Sequence, residues 1–138
     1  MNIQTIIDAL KKAGINATAQ RIAVGRFVLF EADHPTADEV KAAVDKVFPK
    51  ISMATIYNTL HTLEKAGILR AVKLPHTGRV VYDSNVEPHY HMIDEDSGAL
   101  TDLHEDMVKL QHELDREYDI HDVEIFFRGV KKKENKTE

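Results

Sequence analysis

Helix-capping residues divide the first half of this 138-residue chain into helical segments. Thr18 and Ser52 each precede apolar residues at helical spacing, and Thr36 with Glu39 forms a capping box. Glycine or proline follows most of these segments, as is typical of helix ends. The pattern predicts four helices, ending at Gly14, at about Phe30, near Phe48 and at Gly67.

Two short β-rich runs follow the helices, residues 68–74 and 79–82, joined by the turn-forming residues 75–78. Helices followed by a β-hairpin are typical of a winged helix, in which the last helix enters the major groove of DNA. The fourth helix is then the predicted reader of DNA sequence. It turns Ile56, Leu60 and Leu63 inward, and its predicted DNA-contacting residues are Ser52, Thr55, Tyr57 and Asn58. An alternative places Tyr57 in the core.

The charge of the chain is distributed unevenly. Residues 1–83 hold eleven Lys and Arg against eight Asp and Glu, whereas residues 84–138 hold seven against fifteen. This asymmetry predicts a DNA-binding domain over 1–83, a hinge over 84–88, and an α/β domain over 89–138 that ends in a charged tail. Arg21 is a predicted phosphate contact, and the other basic candidates are Lys11, Lys12, Arg26, Lys65, Arg70, Lys73 and Arg79. A solvated surface explains each of these charges individually as well.

Five residues suggest a metal site: His34, Asp83, His89, His91 and Asp102. Imidazoles combined with carboxylates suit Fe(II), Mn(II) or Zn(II) better than Mg(II) or Ca(II). If residues 89–91 form a strand, both histidines project from one face, and the turn at 96–98 lets Asp102 fold back onto them. The alternative is a set of surface residues in an acidic, His-rich loop.

The chain contains no cysteine, which excludes disulfides, thiol catalysis and thiolate zinc sites. No run of about eighteen apolar residues occurs, and residues 1–12 lack the core of a signal peptide. These features predict a cytoplasmic protein without a membrane partner.

Four separated motifs occur in one order: residues 18–21 (TAQR), 34–39 (HPTADE), 52–60 (SMATIYNTL) and 89–91 (HYH). Together they resemble the ferric uptake regulator (Fur) family over about residues 15–128. The resemblance implies a homodimeric, metal-dependent repressor that binds a double-stranded DNA operator and is not an enzyme. It also implies an α+β fold, with an N-terminal winged helix and a C-terminal α/β dimerisation domain. The five residues named above occupy the regulatory metal positions of the family.

Within the family, the chain is most similar to the peroxide-stress (PerR) branch. Asp102 stands where the iron-uptake branch usually has Glu, and the six-residue step from Asp83 to His89 also resembles the peroxide branch. The branch implies Fe(II) or Mn(II) at one site per subunit, with Zn(II) as another occupant. It also implies that peroxide cleaved at bound Fe(II) oxidises His34 and His89 and thereby releases DNA. A regulator of metal uptake, responding to Fe, Mn or Zn without sensing peroxide, is the alternative.

The chain departs from the family pattern at two other metal sites. Residues 94–97 (DEDS) replace a Cys-x-x-Cys pair, so the structural zinc is predicted to be absent. Its loss, worth on the order of 10 kcal/mol in small domains, leaves the second half to a predicted helix over about 104–118 and a strand over about 123–130. A second metal site retains only His121, because Pro88, Tyr90 and Lys109 hold its other positions. Two rival classes also stay open: a non-haem iron oxygenase with a facial triad, and a metal-independent winged-helix module.

Overall fold

The computed structural model describes residues 1–133 of the chain. The protein folds as two compact units, with unit 1 ending at Val86 and unit 2 beginning at Glu87. This division falls inside the segment 84–88 predicted to be a hinge. Of the predicted charged tail, residues 131–133 are described, and residues 134–138 lie outside the described part.

Unit 1 begins with four helices, and the three predicted caps are confirmed. The helices are α1 (Ile3–Lys12), α2 (Ala19–Arg26), α3 (Ala37–Asp45) and α4 (Met53–Lys65). The side chains of Thr18, Thr36 and Ser52 each accept a hydrogen bond from the backbone N–H three residues on, as Asn2 does for α1. A π-helical turn over Phe27–Glu31 extends α2. Its last residues lead into the loop that carries His34.

The core of unit 1 lies between these helices. Ile6 and Leu10 of α1 and Ile56, Leu60 and Leu63 of α4 are fully buried, as helical periodicity requires. Helices α1 and α2 approach closely at Gly25, where a Cβ atom would lie 2.8 Å from Cγ2 of Ile6. A glycine at this position therefore permits the close packing of α1 on α2.

A β-hairpin completes unit 1, as predicted. Strand β1 (Arg70–Lys73) pairs antiparallel with β2 (Val80–Asp83), with Arg70 opposite Asp83. Gly78 has a positive φ of 71° in the connecting turn, a conformation that favours glycine. Four helices followed by this hairpin form the winged helix predicted by the sequence.

Unit 2 contains a three-stranded sheet in the order β4-β3-β5. Strand β3 (His89–Asp94) pairs antiparallel with β4 (Leu100–His104) and parallel with β5 (Phe126–Gly129). The predicted strand over residues 89–91 is thus confirmed, and the strand expected over about 123–130 is present but shorter. The mixture of helices and small sheets is the α+β class predicted from the sequence.

The predicted helix over residues 104–118 is wrong. The structure has two single 3₁₀ turns there, Glu105–Met107 and Leu114–Arg116, with irregular backbone between them. The apolar side chains that would line the inner face of such a helix are each half or more exposed: Met107, Leu110, Leu114 and Tyr118. A helix in a protein gains most of its stability from burying its apolar face, and nothing in the described chain covers this one.

Over the described residues, none of the helices has both the length and the apolar character needed to cross a membrane. The longest, α4, has 13 residues, whereas a span needs about 20.

Candidate metal centre and nucleic-acid surface

Unit 1 brings His34 and Asp83 together, although 48 residues separate them in sequence. Asp83 ends strand β2 and is buried, and its Oδ2 lies 3.4 Å from Nε2 of His34. The backbone N–H of Tyr82 donates to the carbonyl oxygen of Pro35 at 2.8 Å, which fixes the His34 loop against β2. We call His34 and Asp83 the first half-site.

The conformation of the His34 loop is unusual. His34 has φ of 50°, a region that residues other than glycine seldom occupy, although histidine does so more often than most. Oδ1 of the preceding Asp33 lies 2.8 Å from Nδ1 of His34. Backbone strain of this kind tends to occur at functional sites, where surrounding contacts maintain it.

Unit 2 brings His89, His91 and Asp102 together, and we call these residues the second half-site. The two histidines alternate with Tyr90 along β3 and are both buried, while Asp102 lies opposite His91 on β4. One carboxylate oxygen, Oδ1 of Asp102, lies 3.4 Å from Nε2 of His89 and 3.3 Å from Nε2 of His91. The strand geometry predicted from the His-x-His spacing is therefore present.

The two imidazoles of unit 2 are oriented by different neighbours. Nδ1 of His89 is 2.6 Å from the carbonyl oxygen of Glu87, so it carries the proton and donates, which leaves Nε2 as a lone-pair nitrogen. The ring of His91 stacks on Phe126 of β5, with centroids 5.4 Å apart and planes 18° from parallel. The edge of His89 also meets His91, with centroids 4.6 Å apart.

The spacing within each half-site fits a shared cation. Two ligands each about 2.1 Å from one ion at a tetrahedral angle lie about 3.4 Å apart. The nitrogen–oxygen distances of 3.3–3.4 Å match that separation. They exceed the roughly 2.7–2.9 Å of a direct charge-assisted hydrogen bond. Imidazole and carboxylate groups held in this way are the donors that Fe(II), Mn(II) and Zn(II) accept.

The residues at the second metal site of the family form no comparable cluster. Among residues 1–133, no group of three or more metal-ligating side chains includes His121. Lys109 and His121 are both exposed, and Tyr90, which lies between His89 and His91 in the sequence of β3, is partly buried. The prediction of a dismantled second site therefore stays a prediction.

The predicted reading face of α4 is open to solvent. Tyr57 is 52% exposed, Asn58 and Ser52 are also exposed, and the inward residues of α4 are fully buried. Tyr57 thus lies on the outer face of α4 and not in the core. The hydroxyls of Ser52 and Thr55 lie 2.9 Å apart, so part of their hydrogen-bonding capacity serves the helix cap.

The basic candidates differ in their surroundings. Arg21 donates from Nη1 to the carbonyl oxygen of Asn16 at 3.0 Å, so this guanidinium is partly engaged within unit 1. Arg79 of the hairpin lies 3.8 Å from Glu39 of α3, whereas Lys11 and Lys12 lie in the exposed last turn of α1. Of these four residues, the two lysines have the least intramolecular engagement.

A cavity of about 300 Å³ lies beside α4, bounded by the start of α3 and by β2. Tyr57, Arg79 and Tyr82 line it. Burial, followed by the proximity of Tyr57 and Glu64, raises the pKa of Tyr82 above its ordinary value of 10.0. Tyr82 therefore stays neutral throughout the physiological range.

The sequence alone missed the residues that contact the candidate ligands: Asp33, Glu87 and Phe126. Asp33 adjoins His34 and Glu87 lies two residues before His89, so proximity in sequence was a signal for both. Phe126 lies 35 residues beyond His91 and meets it through the parallel pairing of β3 with β5.

Comparison with known proteins identifies the family. The family described as "Ferric uptake regulator family" matches residues 12–128, most of the chain and nearly the range expected from the four motifs. The chain belongs to the ferric uptake regulator family. The chain is 36% identical to the peroxide-responsive repressor PerR of Staphylococcus epidermidis over 129 aligned residues. The alignment covers 90% of this chain and 85% of that protein.

Solved structures of Fur-family proteins share the fold. The Helicobacter pylori ferric uptake regulator, described as having three functional metal-binding sites, matches with a TM-score of 0.71 at 17% identity, over 99% of this chain and 97% of that one. The Campylobacter jejuni peroxide stress regulator matches with a TM-score of 0.65 at 24% identity, over 98% and 99% of the two chains. The predicted fold class and family resemblance are thereby confirmed.

Proposed function

We propose that this Fur-family protein is a metal-dependent transcriptional repressor that binds operator DNA and senses peroxide. The observation that carries the proposal is the pair of half-sites, each joining imidazole to carboxylate at the spacing of ligands around one ion. The 36% identity to a peroxide-responsive repressor supports the choice of signal. The protein acts as a switch and not as an enzyme, and a repressor of this kind works in the cytoplasm, where bacterial DNA lies.

The proposed regulatory site takes one Fe(II) or Mn(II) ion per subunit. His34 and Asp83 supply ligands from unit 1, and His89, His91 and Asp102 supply them from unit 2. A ligand set contributed by both units would fix one orientation of unit 1 relative to unit 2. Binding that favours one orientation shifts the population toward it, and we propose that this orientation is the one that binds DNA.

The proposed peroxide response follows from the ligands. Fe(II) held by these residues would supply the electrons that reduce peroxide, and the imidazoles of His34 and His89 are the proposed targets of the oxidation. Oxidation of an imidazole lowers its basicity and its value as a ligand. Because His34 belongs to unit 1 and His89 to unit 2, damage to either one would release the proposed link between the units.

The proposed DNA-binding surface is the outer face of α4 with the hairpin. Ser52, Thr55, Tyr57 and Asn58 are proposed to face the bases, and Arg21 is proposed as a phosphate contact. The exposure of Tyr57 and Asn58 supports their part in this assignment. Nη1 of Arg21 already donates to the carbonyl oxygen of Asn16, so Nη2 is proposed as the nitrogen that contacts phosphate.

The proposed homodimer forms through unit 2. Large apolar side chains are exposed along residues 107–130, and a second copy of the chain is proposed to cover them. They are Met107, Leu110, Leu114, Tyr118, Ile120, Val123, Phe127 and Val130.

A regulator of metal uptake is the second candidate function. It is favoured by the structural likeness to a zinc-bound manganese uptake regulator, at 26% identity and a TM-score of 0.65 over 92% of this chain and 98% of that one. The same ligands would serve this function, with Fe(II), Mn(II) or Zn(II) as the ion. The two functions differ only in the response to peroxide.

The test is operator binding measured with Fe(II), Mn(II), Zn(II) or a chelator, each with and without hydrogen peroxide. The proposal expects binding with each metal that occupies the site and loss of binding on adding peroxide to the Fe(II) form alone. Binding that is insensitive to peroxide in the Fe(II) form would favour the uptake regulator. Equal binding with chelator would exclude a metal-dependent repressor. The same test is made with His91→Ala, which removes one proposed ligand. His112→Ala, which changes an exposed histidine outside both half-sites, is its matched control.

A further inference from the structure

The ring of Phe126 covers one face of the His91 imidazole. The two rings are 18° from parallel with centroids 5.4 Å apart, and the residues are register partners in the parallel β3–β5 pair. The backbone N–H of His91 donates to the carbonyl oxygen of Ile125 at 3.1 Å, which fixes the backbones of both strands at this point. The stacked arrangement is thus built on paired backbone.

His91 has to present one nitrogen in one direction. Its Nε2 lies 3.3 Å from the Asp102 oxygen that His89 also approaches, so the three donor atoms converge. Rotation of the imidazole about χ2, which is a broad torsion, would move Nε2 away from this point. A flat aromatic surface against the ring restricts that rotation.

His89 and His91 are held by different means. The imidazole of His89 is oriented by the hydrogen bond from its Nδ1 to the backbone carbonyl of Glu87, which no side-chain substitution removes. Phe126 contacts His91 through its side chain, so its contribution can be removed by mutation. The neighbouring Phe127 points to the opposite face of β5 and is 40% exposed.

We infer that Phe126 is a positioning residue for the metal ligand His91, and that the β3–β5 stack sets the affinity of the regulatory site. This inference rests on the proposed function, because it takes His91 as a metal ligand. Outer contacts that orient a ligand typically change metal affinity by about 10–100-fold. Because stacking is weaker than a hydrogen bond that an imidazole N–H donates to a carboxylate, the lower end of that range is expected for Phe126.

The experiment compares four variants by Mn(II) titration, with free Mn(II) followed by electron paramagnetic resonance. Phe126→Leu should weaken Mn(II) binding about tenfold, whereas Phe126→Tyr, which keeps the ring, should restore it. Phe127→Leu removes the same ring from the other face of the strand, at a residue of the proposed dimer surface and outside the metal site, and this variant should bind Mn(II) as the unmodified chain does. His91→Ala tests the ligand itself. Sedimentation and circular dichroism establish that all variants have the same assembly and fold.

A second measurement tests the geometry in the metal-free protein. A ring stacked on Phe126 shifts the carbon-bound protons of the His91 imidazole upfield, and His91→Ala identifies their signals. The upfield shift should be present in the unmodified chain and in Phe126→Tyr and absent in Phe126→Leu. If Phe126→Leu fails to fold, the unmodified chain and Phe126→Tyr still test the inference. Absence of the upfield shift in these two proteins would overturn it.

The outcomes separate the inference from the function on which it rests. Unchanged Mn(II) binding in His91→Ala would refute the proposed site as a whole. Weakened binding in His91→Ala with unchanged binding in Phe126→Leu would refute the positioning role alone. Equal weakening in Phe126→Leu and Phe127→Leu would mean that loss of any ring from β5 loosens the sheet, which also overturns a specific role for Phe126.

Discussion

The backbone N–H of Tyr82 donates a 2.8 Å hydrogen bond to the carbonyl oxygen of Pro35. The residues next to this bond, His34 before Pro35 and Asp83 after Tyr82, are the two members of the first half-site. One backbone hydrogen bond therefore holds the end of β2 against the loop that follows the π-helical turn. Since β2 is also a strand of the hairpin, the candidate metal ligands of unit 1 and the proposed DNA-contacting hairpin share one element.

Asp102 is expected to contribute more to metal binding than its partial exposure suggests, because one of its oxygens lies near both histidines of the second half-site. Asp102→Ala should weaken Mn(II) binding at least tenfold and abolish metal-dependent DNA binding while the protein stays folded. Metal titration and circular dichroism measure the two effects. Asp106→Ala, a change at an exposed carboxylate, is the matched control. Unaltered Mn(II) affinity in Asp102→Ala would remove this residue from the site.

Removal of metal should leave the fold intact. With no cysteine in the chain, no thiolate zinc site stabilises unit 2, unlike small domains that fold only with zinc. Purified protein treated with a strong chelator should retain its secondary structure and the proposed dimer, as followed by circular dichroism and sedimentation. Unfolding or dissociation after chelation would reveal a structural metal.

Gly25→Ala should destabilise unit 1. The added Cβ would lie 2.8 Å from Cγ2 of Ile6, so the fully buried side chain of Ile6 would have to shift. Overpacking of this kind costs about 1–3 kcal/mol. Denaturant unfolding measures the loss of unfolding free energy. Gly67→Ala is not a suitable control, because Gly67 has a positive φ of 78°. Ala23→Gly in the same helix, expected to lose about 1 kcal/mol from helix propensity alone, sets the scale for comparison.

Tyr82 should make stability fall at high pH. Its pKa is raised in the folded protein, chiefly by burial, so the fold favours the neutral phenol. The free energy of unfolding is then unaffected by Tyr82 below the ordinary value of 10.0 and decreases as pH rises through the higher folded value. Alkaline unfolding curves of the unmodified chain and Tyr82→Phe test this. A decrease of the same size in Tyr82→Phe would assign the effect to other groups.

Base and phosphate contacts should respond differently to mutation. Asn58→Ala on the outer face of α4 should cost about 1–3 kcal/mol on operator DNA and leave random-sequence DNA almost unaffected. Lys11→Ala, if this lysine contacts phosphate, should weaken binding to both DNAs and lower the salt slope by about one per subunit. Both affinities are measured over a range of salt, together with melting temperature. An unchanged ratio of operator to random-DNA affinity in Asn58→Ala would argue against α4 as the reader.

The sequence determined the elements of unit 1 and the candidate ligands. Thr18, Thr36 and Ser52 predict their helices because a cap bonds to a backbone N–H only three residues away, and that spacing is visible in the chain. The His89-Tyr90-His91 triplet likewise fixes two imidazoles on one face of β3. The resemblance to the family likewise rests on four local motifs that occur in one order along the chain.

Only the tertiary structure decided how distant residues meet. Two contacts join residues that are 35 or more positions apart: His34 with Asp83, and Phe126 stacked on His91. Local periodicity does not indicate such pairings. The helix expected over 104–118 is absent for the converse reason: its sequence has helical spacing, but a helix depends on a surface that covers its apolar face. Local hydrogen bonds follow from the sequence, whereas burial depends on what the rest of the molecule places nearby.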